Sequence, residues 1–94
     1  MEKEKLKNAI DEYIKYFNEI EEIKDYTFSA DIIENYEMNN EKCDCILMII
    51  KNDKLNLSGE YYIRLEDFKV NQNILAYVAR EAINKTESKI KEWE

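Results

Sequence analysis

The chain has no histidine and no proline, and only one glycine and two cysteines in 94 residues. Each scarcity removes a class of chemistry. Without histidine the commonest metal ligand and the usual general base are gone, and with them Ser/His/Asp and Cys/His catalysis within one chain. A single glycine leaves no room for a Gly-rich phosphate cradle, a dinucleotide-binding fingerprint or a Walker loop. The longest apolar run, residues 45–50, has six residues, far short of a membrane span. Residues 1–24 mix five lysines with seven acids, unlike a signal peptide. Cys43 and Cys45, spaced i, i+2, would close a strained disulfide and supply only half a zinc site unless the chain dimerised. They are therefore expected as reduced, core-facing thiols of a cytoplasmic protein without metal or cofactor.

What is present is the pattern of one small α+β domain spanning residues 1–94. Leu6, Ile10, Tyr13, Phe17 and Ile20 recur at spacings of three and four, so the spacing predicts a helix over 2–24. The period then becomes two. Tyr26, Phe28, Ala30, Ile32, Tyr36 and Met38 alternate with polar residues and predict a strand over 26–38. Ile33 on its polar side and Glu34 on its apolar side break the alternation, as a bulge that flips the register would. Asn39-Asn40-Glu41-Lys42 reads as a turn, because Asn tolerates positive φ. Residues 43–51, apolar at almost every position, read as the central strand. Asn52-Asp53-Lys54 is a second turn and 55–65 a third strand, in which Gly59 implies a bulge or a close backbone approach. Leu75, Val78, Ala79, Ala82, Ile83, Thr86, Ile90 and Trp93 predict a closing helix over 71–93. The expected fold is α-β-β-β-α, a three-stranded antiparallel meander with two helices packed on one face.

The charge is unevenly placed. The chain carries a net −7, and residues 11–41 hold ten acids against Lys15 and Lys24, a net of −8. Asp11, Glu12, Glu19 and Glu22 fall on one arc of the first helix, and Asp31 and Glu37 on the expected outer side of the first strand. A solvated, solubilising surface is one reading. The other is a row of carboxylates that imitates phosphates and fills a basic groove. The net field opposes direct binding to nucleic acid or to anionic lipid.

Paired carboxylates can hydrolyse glycosides without histidine, but a short meander offers little room for the cleft this requires; no catalytic residue is assigned. Among the tyrosines, Tyr13 and Tyr16 fall on the apolar face of the first helix, Tyr26, Tyr36 and Tyr61 on the inward side of strands, and Tyr77 near the last helix's stripe. Core packing is expected for all of these. Tyr62 and Ile33 project from polar strand faces and are candidate interface anchors.

The element order is that of the double-stranded-RNA-binding domain, yet Val70-Asn71-Gln72-Asn73-Ile74, with Arg80 as the first cation, lacks that family's basic helix start. In size, sign of charge and element order, and in Lys24-Asp25-Tyr26-Thr27 at the passage from helix to strand, the chain resembles small acidic phage-encoded anti-CRISPR inhibitors. The resemblance implies a non-catalytic inhibitor that blocks a Cas nuclease or effector complex by nucleic-acid mimicry. The nearly neutral last helix would leave the mimicry to the first helix and the sheet. An immunity protein or mobile-element accessory protein with another basic partner, or a homo-oligomeric structural module such as a homodimer, remains an alternative.

Overall fold

The computed structural model describes residues 2–93, and the side chains of residues 3–88. Its order is α1 (Glu2–Glu19), a 3-10 turn (Glu21–Ile23), β1 (Tyr26–Met38), β2 (Glu41–Asn52), β3 (Leu57–Arg64), α2 (Leu65–Val70) and α3 (Ile74–Trp93). The strands form one antiparallel sheet in the order β1-β2-β3. This is the expected α+β meander between helices, with a third, short helix added. No helix among the described residues is long and apolar enough to cross a membrane.

Alternation decides the faces. Phe28, Ala30 and Ile32 lie opposite Ile50, Met48 and Ile46, which in turn face Gly59, Tyr61 and Ile63. This inner face meets Leu6, Ile10 and Phe17 of α1, Leu65 and Phe68 of α2, and Leu75, Ala79 and Ala82 of α3 in one core. The molecule measures 46 × 31 × 20 Å. A short axis of 20 Å holds one sheet and one helix layer, each about 10 Å thick, so the other face of the sheet is left bare.

Several boundaries differ from the expectation. The first helix stops at Glu19 rather than residue 24: Ile20 is extended, with φ −73° and ψ 116°. No basic residue stands in the last turn of α1, and Glu19, Glu21 and Glu22 would place negative charge against the negative end of the helix dipole. Ile20 and Ile23 still pack on the core from the 3-10 turn. The first turn is tighter than expected. Asn39 and Asn40 alone form it, at φ 53° and 67°, the type I′ geometry whose twist suits a two-residue hairpin, and β2 already begins at Glu41. The second turn is longer, because Asn52 Oδ1 accepts the Leu55 N–H at 3.0 Å and Asn56 takes φ 54°; β3 therefore starts at Leu57. The register from Asn52–Leu57 to Cys45–Arg64 is unbroken, so Gly59 marks a close approach and not a bulge. A Cβ on Gly59 would stand 3.0 Å from the Tyr61 ring.

The expected third strand ran through residue 65 and no element was predicted for 66–70; residues 65–70 form α2. Leu65 and Phe68, three residues apart, are both buried, and Glu66 and Asp67 suit the positive end of a helix dipole. Tyr16 and Tyr77, expected in the core, are 62% and 67% exposed. The side chains of Ile90 and Trp93 lie outside the described residues.

Candidate functional site: an acidic rim and a bare aromatic sheet face

The bulge in β1 sets the geometry of the bare face. Ile33 pairs with Cys45 and Tyr36 with Cys43, so Glu34 and Asn35 together oppose Asp44. Asn35 adopts φ 55° and its N–H donates to Asp44 Oδ1 at 3.1 Å. Lys3 bridges Glu34 and Asp44 at 3.1 and 3.2 Å. The Asn35 N–H, then Lys3, hold the Asp44 carboxyl below its ordinary pKa. The side chains beyond the bulge change faces, as the misplaced Ile33 and Glu34 implied. Tyr36, expected inward, therefore lies on the bare face, and Glu37, expected outside, lies on the helix side.

On the bare face Tyr36 stacks on Tyr62, with ring centroids 4.5 Å apart and an interplanar angle of 10°. The Tyr62 hydroxyl donates to Glu60 Oε2 at 3.4 Å. Tyr36 neighbours Cys43, and Tyr62 neighbours Leu47, so the stacked rings cross β2 over the position of Cys45. This accounts for a cysteine that is wholly buried although it points away from the helices. The thiols are free, as expected, but not core-facing. Their sulfurs stand 3.5 Å apart, and burial, then the hydrogen bond with Cys43, push the Cys45 thiol up to about 11. Ile33, Leu47 and Ile49, all half-buried, complete an apolar patch. Sequence reasoning found Ile33 and Tyr62 and missed Tyr36, Leu47 and Ile49. The near-continuous apolar run of β2 carried the signal, since helices on one side can cover only alternate residues of it.

The predicted carboxylates do not form one row. Asp11 and Asp31 come together around Lys7, at 3.2 and 3.3 Å, and Lys7 also donates to the Ala30 carbonyl at 3.3 Å. The Ile32 N–H and then Lys7 hold the Asp31 carboxyl below its ordinary pKa. Glu12, Glu19 and Glu22 are exposed and have no ion pair among the described residues. Glu12 and Glu19, seven residues apart on α1, share a side about 10 Å apart along the axis. Glu22 sits past the break at Ile20 and leaves that arc. No group of three or more His, Cys, Asp or Glu among the described residues is arranged to hold a metal ion. Comparison with family models, curated proteins and solved structures returns no match to this chain.

Proposed function

We propose that this chain is a non-catalytic acidic inhibitor that occupies a basic, nucleic-acid-handling surface of another protein, in the manner of the anti-CRISPR inhibitors it resembles, with a Cas effector as the candidate partner. The observation that carries the reading is the set of exposed carboxylates without counter-charges among the described residues, Glu12, Glu19 and Glu22, on a chain of net −7. Asp11 and Asp31 contribute less, because Lys7 partly neutralises both. Exposed carboxylates of this kind attract arginine and lysine clusters before contact, and the attraction is screened within about 10 Å at 0.1 M salt and about 3 Å at 1 M.

The test is competition. A labelled guide or target nucleic acid is loaded on the candidate effector in the presence of this protein or of its Glu12→Lys, Glu19→Lys, Glu22→Lys variant. Wild type is expected to displace the nucleic acid, with association slowing steeply as salt rises, and the folded variant is expected to fail. A folded variant that inhibits as well as wild type overturns the mimic reading.

A further inference from the structure

A sheet of three strands has two edges, and here only one is closed. On β1, Asn18 of α1 donates to the Phe28 carbonyl at 3.0 Å and accepts the Phe28 N–H at 2.8 Å. Lys7 takes the Ala30 carbonyl. These bonds also fix the direction of every backbone group in the sheet. Phe28 and Ala30 turn theirs away from β2, so their partners Ile50 and Met48 turn theirs toward β3, where they meet Gly59 and Tyr61. Alternation then points the N–H and C=O groups of Ser58, Glu60 and Tyr62, and the Arg64 N–H, to the free edge of β3; the Arg64 carbonyl, at the N-cap of α2, accepts that helix's first bond. Among the described residues nothing covers that edge, a ready template for another strand.

We propose that the β3 edge pairs antiparallel with β3 of a second copy of this chain, about a two-fold axis through Tyr62. The charges select the occupant and the register. With Tyr62 opposite Tyr62 of the second copy, Glu60 faces its Arg64 and Arg64 faces its Glu60. Centring on Glu60 or on Arg64 instead sets like charges opposite one another, which destabilises a sheet. The same centring places Tyr61 against Ile63 of the second copy, an aromatic and β-branched pair. The Tyr62 pair exchanges two backbone bonds and each Glu60–Arg64 pair makes one, from the Arg64 N–H to the Glu60 carbonyl, giving about four new backbone bonds. Arg64 is free to turn, since its partner within the chain, Glu41, stands at 4.0 Å. The axis is perpendicular to the sheet, so both sets of helices stay on one side, where the exposed Tyr77, with Glu81 and Lys85 of α3, flanks the β3 edge. On the other side the two aromatic patches become one continuous face over six strands. This dimer is independent of the proposed inhibition, since it uses none of the α1 carboxylates.

The experiment is sedimentation velocity over a concentration series up to about 1 mM, on wild type, Glu60→Arg, Arg64→Glu and the double exchange. Wild type is expected to dimerise. Each single variant is expected to weaken the dimer by about tenfold, through like charges opposite one another, and the double exchange to restore it. Amide exchange of wild type read against concentration is the second measurement, and it stands even where a variant fails to fold: the Tyr62 N–H is expected to gain protection as the dimer forms. A wild type that stays monomeric, a dimer indifferent to both single variants, a folded double exchange that does not recover, or a Tyr62 N–H that exchanges equally at all concentrations overturns the proposal.

Discussion

Among the described residues, four other than glycine adopt positive φ, and all are asparagines: Asn35 (55°), Asn39 (53°), Asn40 (67°) and Asn56 (54°). A chain with one glycine, itself at a position without positive φ, gives its left-handed positions to the next most tolerant residue, whose side chain can bond locally. Asn40→Gly is therefore expected to leave stability within about 0.5 kcal/mol, whereas Asn40→Ala loses about 1 kcal/mol, by chemical denaturation. Asn39 and Asn40 were legible as a turn because they interrupt two apolar patterns. Asn35 was not, because it sits inside an alternating strand where an Asn reads simply as an outward polar residue. Asn18 is the other residue that composition hides. It lies on the exposed side of α1, yet its amide makes both hydrogen bonds to Phe28. Asn18→Ala is expected to lower stability by about 1–2 kcal/mol, through two backbone groups that lose their partner.

At the scale of elements, periodicity revealed α1, β1, β3 and α3, and a near-continuous apolar run revealed β2. Periodicity missed α2 because six residues give one apolar spacing, Leu65 to Phe68, too short to establish a period. Such a helix is not stable by itself and exists because those two side chains are buried. Phe68→Ala is expected to cost about 3–5 kcal/mol, and Val70→Ala, at a position 88% exposed, less than about 0.5 kcal/mol. Equal losses in thermal unfolding would mean that α2 does not anchor the passage from β3 to α3. The candidate site was half legible for a related reason. Ile33 and Tyr62 stood out as apolar residues in polar positions, but Tyr36 sat in phase with the core set until the bulge moved it to the other face, a displacement of one residue that inverts everything after it.

The bulge also matters to the molecule as a whole, because the charges around it tie the sheet to the start of α1. Glu34 and Asp44 raise the Lys3 ammonium above its ordinary pKa, and Asp44 is held below its own by the Asn35 N–H and then by Lys3. At the middle of α1, burial pulls the Lys7 pKa down, but Asp11 and Asp31 outweigh it and raise the value. For Asp44 and Asp31 the sign follows from linkage. A carboxyl whose pKa is lower folded than unfolded stabilises the fold above its unfolded value, here 3.8, and that contribution is lost as pH falls through the folded value. The unfolding midpoint is therefore expected to drop on acidification below about pH 4. Asp44→Asn and Lys3→Met test where the loss arises, since either removes the ion pair that joins α1 to the bulge. Each is expected to unfold more easily than wild type at neutral pH and to lose less on acidification, so that the curves draw together as pH falls through the folded value of Asp44. Both variants parallel to wild type across the whole range would place the acid sensitivity elsewhere in the chain.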